Sequence, residues 1–136
     1  TAYAEKRNVI LALEDHHGLA ANSTQLLFYL HQINSPFFRF NVDIGNFLFG
    51  GEEPVAGTTK TAPYAAMVHV KDFRQAGDAY EACALGEGVV PVADCLRILR
   101  DAGYDSFVSL EYEAPEDPRT GIPRRADFLR HCIAHQ

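Results

Sequence analysis

The sequence predicts an α/β protein built from four βα units, and three observations support this prediction. Four short apolar runs are separated by segments that contain helical periodicity or room for a helix. Each connection is long enough to bring the chain back for a parallel strand. Each apolar run ends in an acidic residue or a histidine. With 136 residues, of which 47% are hydrophobic, the chain is long enough to bury a core.

The first two units lie before position 64. Residues 8–14 (NVILALE) form an apolar run with β-branched side chains, which predicts a buried strand that leads into a polar loop. Asn22 begins a stretch with leucines at helical spacing, and the sequence Asn-Ser-Pro at 34–36 predicts its end. Residues 37–42 (FFRFNV) predict the second strand. Residues 47–63 are rich in Gly, Thr and Pro, so we expect a long loop with room for one short helix.

The last two units follow the same order. Residues 64–70 (YAAMVHV) predict the third strand, and an irregular loop is expected after it. Residues 91–102 carry apolar side chains at helical spacing, and Gly103 is a typical residue at which a helix ends. Residues 106–112 (SFVSLEY) predict the fourth strand, and 124–133 predict the last helix.

Charge and composition exclude several classes of protein. The chain has 12 basic and 18 acidic side chains, and a net charge of −6 argues against binding nucleic acid or an anionic membrane mainly through phosphate neutralisation. No apolar run approaches the ~20 residues needed to cross a bilayer, and the opening residues do not resemble a signal peptide. We therefore expect a cytoplasmic protein. Three widely spaced cysteines without a CxxC pair predict reduced packing residues.

Each predicted strand ends in a side chain that can bind a metal ion. These side chains are Glu14, Asp43, His69 and Glu111. Because the carboxyl ends of parallel strands meet at one rim, we expect them to converge on one site. Three carboxylates and one imidazole suit Mn²⁺ or Mg²⁺, with Co²⁺ or Zn²⁺ allowed by the nitrogen ligand. Any one of these residues alone could instead cap a helix or face water, so the prediction depends on the four together.

Five segments in this order resemble the sugar phosphate isomerase/epimerase family of xylose-isomerase-like TIM barrels. They are LALEDHHG (11–18), NVDIGN (41–46), HVKDF (69–73), LGEGVV (85–90) and AGYDSFVSLEYE (102–113). The resemblance implies that residues 1–136 are the C-terminal half, four βα units, of a TIM (β/α)8 barrel, with the N-terminal half absent from this chain. It also implies one divalent metal, most simply Mn²⁺, bound by Glu14, Asp43, His69 and Glu111.

The same resemblance implies a reaction. A sugar with a carbonyl beside a hydroxyl would chelate the metal, which would stabilise the charge that develops as a carbon-bound proton leaves. Glu14 and Glu111 would remove and return that proton. We therefore predict a metal-dependent isomerase or epimerase acting on a sugar, sugar phosphate or polyol ketone. A dehydratase at the same site, an endonuclease-type phosphodiester hydrolase and a non-catalytic binding module remain alternatives, although the acidic charge and single strand-end histidine count against the nuclease.

Four neighbouring residues are predicted to bind substrate. His16 shares strand parity with Glu14, and Lys71 shares it with His69, so both could face the same cavity or be solvated loop residues. Asn46 stands where some epimerases of the family place a substrate-binding histidine. Arg74 could also bind substrate, or it could be a surface charge.

Other charged residues near these motifs are weaker candidates. Glu113 shares a strand face with Glu111 but lies farther from the apolar run, so Glu111 is the preferred ligand. Glu87 lies in a Gly-Glu-Gly sequence that could line the site or only form a turn. His131 and His135 have the spacing of a helical metal pair, but without an HExxH motif we expect them at the surface.

The number of βα units bears on the partners of the chain. A complete barrel has eight βα units and takes ~250 residues, whereas this chain has four. A sheet of four strands that does not close leaves two open strand edges. We expect the chain to be a fragment of a longer protein, or to complete its barrel with a partner such as a second copy of itself. The other expected partner is a small-molecule sugar, with neither nucleic acid nor membrane involved.

Overall fold

A sheet of four parallel strands forms the centre of the computed structural model, which describes residues 1–135. Residues 1–135 contain six strands, of which four form this sheet. They are β1 (Leu11–Glu14), β2 (Phe38–Asp43), β3 (Ala65–Val70), β4 (Asp72–Ala76), β5 (Ala79–Cys83) and β6 (Val108–Leu110). The sheet has the order β1-β2-β3-β6, and all three pairings are parallel. Strands β4 and β5 form a separate antiparallel hairpin.

Within residues 1–135, five α-helices accompany the strands. They are α1 (Ala2–Lys6), α2 (Ser23–Ile33), α3 (Pro54–Thr61), α4 (Val92–Asp101) and α5 (Pro118–Ala134). Short 3₁₀ helices span Asn46–Gly50 and Ala62–Tyr64. A helix follows each strand of the parallel sheet, which confirms the predicted order of four βα units. Among residues 1–135, none of the helices has the length and apolar character that crossing a membrane requires.

The two faces of the sheet differ in chemistry because side chains alternate along each strand. Phe40, Val42, Val68 and Val70 lie on the face that packs against the helices, and all four are fully buried. The alternate residues Asn41, Asp43 and His69 project from the opposite face. The predicted role of the three cysteines as reduced packing residues is also confirmed, because Cys83, Cys95 and Cys132 are free and buried.

The structure corrects the extent of the first and third units. Strand β1 begins at Leu11 rather than Asn8, because Asn8 adopts a positive φ of 54° and the Val9 N–H bonds back to Ala4 O of α1. The prediction that this strand is buried is wrong, because β1 lies at the edge of the sheet and its residues are exposed or half-buried. The loop expected after the third strand contains the hairpin of β4 and β5. Gly77, at φ 63°, lies in the turn between these strands.

One short helix was expected within residues 47–63, and the structure has it there, whereas the last helix is longer than predicted. The 47–63 segment contains α3, whose N-terminus is capped by the Glu53 carboxylate accepting the Ala56 N–H at 2.9 Å. Helix α5 begins at Pro118, six residues before the predicted start at Arg124, because the Asp117 carboxylate accepts the Arg119 N–H. The helical periodicity of residues 124–133 therefore reported only the part of α5 that packs on the core.

Candidate metal centre

The parallel sheet brings four potential metal ligands to one rim. Glu14 and Asp43 are the last residues of β1 and β2, His69 is next to last in β3, and Glu111 directly follows β6. Asp43 and His69 are also partners in the strand register. One ligand atom from each of the four residues lies within 4.8 Å of those from the other three. Such convergence follows from the common direction of the strands.

His69 stands between the two glutamates. Its Nδ1 atom lies 2.7 Å from Glu111 Oε1 and 3.5 Å from Glu14 Oε1. The Asn41 amide nitrogen lies 3.3 Å from each ring nitrogen. The imidazole is therefore held from three sides, and its two carboxylate neighbours come from the outermost strands of the sheet.

Asp43 is the most buried of the four side chains, with no solvent exposure. Its Oδ1 atom accepts the N–H groups of Gly45 at 2.9 Å and of Asn46 at 3.2 Å. Its Oδ2 atom forms an ion pair with Lys71 Nζ at 3.1 Å and meets no other hydrogen-bond donor among residues 1–135. Burial raises the pKa of Asp43 to about 6, although the Lys71 charge acts in the opposite direction.

Lys71 contributes a buried positive charge to this cluster. Its ammonium lies 2.6 Å from Glu111 Oε2, in addition to the Asp43 contact, and 3.5 Å from Glu113 Oε1. Burial alone would lower the pKa of Lys71, but its carboxylate neighbours raise it above the ordinary value. Burial would likewise raise the pKa of Glu111, but the hydrogen bond and charge of Lys71 bring it below the ordinary value. Both groups are therefore charged at neutral pH.

Asp15 has a buried carboxyl group beside the site. Sequence reasoning did not identify this residue. Its Oδ1 atom accepts the backbone N–H of Asp43 at 2.8 Å, and its carbonyl accepts the Asn46 side-chain amide at 2.8 Å. No donor in the described part of the chain reaches its buried Oδ2 atom, and burial raises the pKa of Asp15 to about 8. These bonds tie the end of β1 to the end of β2. The sequence signal was only an acid following Glu14, and nothing local distinguishes such an acid from a solvated loop residue.

The residues predicted to bind substrate divide into two groups. Asn46 and Lys71 are buried within or beside the cluster, and the Asn46 amide is bonded to Asp15. His16 is exposed on the loop after β1, with its ring 4.6 Å from that of His17, and Arg74 is exposed on β4. The roles of all four remain predictions.

The weaker candidates lie nearer the surface. Half of the Glu113 side chain is exposed, and Glu87 forms an ion pair with Arg125 of α5. His131 and His135 are exposed with their rings stacked, 4.0 Å between centroids, which agrees with the surface position expected from the sequence.

Four βα units with a polar rim at the carboxyl ends of the strands define half of a βα barrel. The chain belongs to the xylose isomerase-like TIM barrel family, whose model matches residues 1–132. That assignment agrees with the resemblance seen in the sequence segments.

Individual relatives support the same assignment. The chain is 27% identical over 134 residues to L-ribulose-5-phosphate 3-epimerase UlaE of Escherichia coli K12, covering 96% of this chain and 46% of the relative. It superposes with a TM-score of 0.81 at 21% identity on the probable 3-DHS dehydratase AsbF of Bacillus anthracis, covering 95% of this chain and 52% of that structure. A xylose isomerase-like TIM barrel protein from Mycobacterium smegmatis, solved in complex with magnesium, gives a TM-score of 0.80 at 18% identity, with 98% and 47% covered. The chain spans about half the length of the relatives it matches.

Proposed function

We propose that Glu14, Asp43, His69 and Glu111 bind one divalent metal ion and that the site belongs to a sugar isomerase or epimerase. The observation that carries the proposal is the convergence of the four side chains within 4.8 Å from four separate strand ends. The residues fit such an ion in chemistry, since hard oxygen ligands with one imidazole suit Mn²⁺, Mg²⁺ or Zn²⁺. The buried Asp43 Oδ2 atom supports this fit, because among residues 1–135 only the Lys71 ammonium, at 3.1 Å, pairs with it and a lone pair stays available for a metal ion.

A metal ion at this position supplies a Lewis acid for a bound carbonyl group. The chain's own residues supply the proton transfer. Glu14 and Glu111 belong to opposite margins of the four-stranded sheet, so each can present a carboxylate oxygen to a different side of a bound sugar. His69 lies between the two glutamates, and the Asn41 amide contacts its ring. The name of the E. coli relatives points to L-ribulose 5-phosphate as the first sugar to test.

Asp43→Asn tests the metal site directly. We expect the wild-type protein to bind Mn²⁺ at one site in a calorimetric titration and the variant to bind it about a hundredfold more weakly or worse. The reason is that even changes to residues behind a metal ligand cost roughly 10–100-fold in affinity. Asp105→Asn, which removes the same charge from an exposed residue, is the matched control. Equal Mn²⁺ affinity in wild type and Asp43→Asn would refute the assignment.

We also propose that four further βα units close the open sheet into a barrel, on the same polypeptide or as a partner. Within residues 1–135, β1 pairs only with β2 and β6 only with β3, so each has one unpaired edge. An apolar depression of about 340 Å³ lies beside β1, where the helix of a preceding unit would pack. It is lined by Leu13, Leu19, Ala20, Tyr29, Ile33 and Phe38. The length of the relatives, about twice that of this chain, matches four more units.

Hydrogen exchange and sedimentation of the isolated 15.1 kDa chain test this closure. We expect rapid exchange of the β1 and β6 amides and association into larger species, because unpaired strand edges and exposed apolar surface favour contacts with other chains. A stable monomer with β1 and β6 amides as protected as those of β2 would contradict the proposal. A discrete dimer in which the β1 and β6 amides are protected would show that a second copy of the chain, and not four further units, closes the sheet.

A further inference from the structure

We propose that Lys71 lowers the metal affinity of this site. Its ammonium is an internal counter-ion of the ligand carboxylates and repels the divalent cation that would bind them. This inference rests on the proposed metal site and adds a role that the four ligands do not explain. Lys71 would be a positioning and charge-balancing residue and not a metal ligand, because a protonated ammonium has no lone pair to offer.

The geometry places the Lys71 charge on the same carboxylates that the metal would use. The ammonium lies 2.6 Å from Glu111 Oε2 and 3.1 Å from Asp43 Oδ2, and both residues belong to the candidate ligand set. The third carboxylate, Glu113 Oε1, lies at 3.5 Å. With three acidic neighbours the ammonium is already surrounded by partners, which favours a counter-ion over a substrate-binding group.

Packing holds the lysine in this position. Only 5% of its side chain is exposed, so the ammonium is kept from solvent. A Cβ atom on Gly45 would lie 2.8 Å from Lys71 Cγ and 3.0 Å from Phe73 Cε2, which shows that the lysine stem occupies space that only a glycine leaves free. The next residue, Asp72, accepts four backbone N–H groups and so fixes the main chain directly after Lys71.

Simple electrostatics predicts the direction of the effect. Metal–oxygen bonds are about 2 Å long, so an ion bound by either shared carboxylate would lie within about 5 Å of the ammonium. Even with the dielectric constant of water, a unit charge at about 5 Å repels a divalent ion enough to change its affinity roughly tenfold. Removing the lysine also leaves Asp43 and Glu111 without their counter-charge, and a divalent ion then restores it. Loss of the ammonium should therefore tighten metal binding.

Lys71→Met is the test variant, because methionine keeps most of the stem and removes the charge. Mn²⁺ affinity is measured by calorimetry, and thermal midpoints are recorded with chelator and with saturating Mn²⁺. Lys60→Met is the matched control, since it removes the same charge from an exposed lysine that pairs with Glu52. Lys71→Arg keeps the charge and controls for packing.

We expect Lys71→Met to bind Mn²⁺ at least about tenfold more tightly than the wild type. Its thermal midpoint should be lower with chelator and should rise more on addition of Mn²⁺. Lys60→Met and Lys71→Arg should stay closer to the wild type. If the wild type binds Mn²⁺ and Lys71→Met binds it with equal or lower affinity, the counter-ion role is overturned while the metal site stands. Absence of Mn²⁺ binding in both proteins would overturn the metal site itself, and the counter-ion role with it.

Discussion

Glu14→Gln and Glu111→Gln are each expected to lower the exchange of solvent deuterium into L-ribulose 5-phosphate by about a thousandfold or more in the complete, Mn²⁺-saturated enzyme. Glutamine matches the shape of glutamate but cannot accept a proton, and general acid–base groups contribute roughly 10²–10⁴-fold to rate. Mass spectrometry of the recovered sugar detects the exchange at the carbon next to the carbonyl. Saturating metal separates this effect from weaker metal binding.

Glu113→Gln is the matched control for this experiment. It makes the same substitution two residues from Glu111, at a carboxylate that also approaches Lys71 but is half exposed. We expect exchange in this variant to remain within a few fold of the wild type. Retained exchange in both Glu14→Gln and Glu111→Gln would refute proton transfer by the two glutamates, and loss in Glu113→Gln alone would move the role to that residue.

Asp72→Ala is expected to lower the free energy of unfolding by about 3–5 kcal/mol, the largest stability effect that we predict. The buried Asp72 carboxylate accepts the N–H groups of Phe73, Gly86, Gly88 and Val90 at distances of 2.8 to 3.0 Å. Hydrogen bonds to a charged group contribute about 1.5–3 kcal/mol each, and their loss leaves donors unpaired. Because the four are not additive, the expected total is below their sum.

Urea unfolding followed by circular dichroism measures this loss. Asp78→Ala removes an exposed carboxylate from the turn between β4 and β5 and serves as the control, for which we expect a change within about 0.5 kcal/mol. A loss below about 1 kcal/mol in Asp72→Ala would show that the loop at 85–90 holds its position without this carboxylate.

Local sequence patterns were sufficient to predict the order of the four βα units and to select the four candidate ligands. A buried parallel strand reads as a short apolar run, and the polar residue that ends it lies at the rim of the sheet. Glu14, Asp43, His69 and Glu111 each satisfied this rule separately, so their convergence needed no knowledge of long-range contacts. The hairpin of β4 and β5 was missed because its strands are half exposed and lack a continuous apolar run.

The supporting polar network could not be predicted in the same way. Asp15 bonds to a residue 28 positions away, Asp72 to donors up to 18 positions away, and Lys71 approaches Glu113 across 42 positions. In the sequence Asp15 and Asp72 resemble ordinary solvated charges, and Lys71 was a candidate only because it shares strand parity with His69. Only the folded chain shows that all three are buried and bonded. Their roles depend on tertiary contacts, which neither periodicity nor residue type encodes locally.

Anomalous X-ray scattering from crystals soaked in Mn²⁺ shows directly whether the four side chains bind a metal ion. We expect one strong anomalous peak within bonding distance of carboxylate oxygens of Glu14, Asp43 and Glu111 and of a ring nitrogen of His69. A map without a peak among these four side chains, or with Mn²⁺ bound only elsewhere, would contradict the proposed metal site.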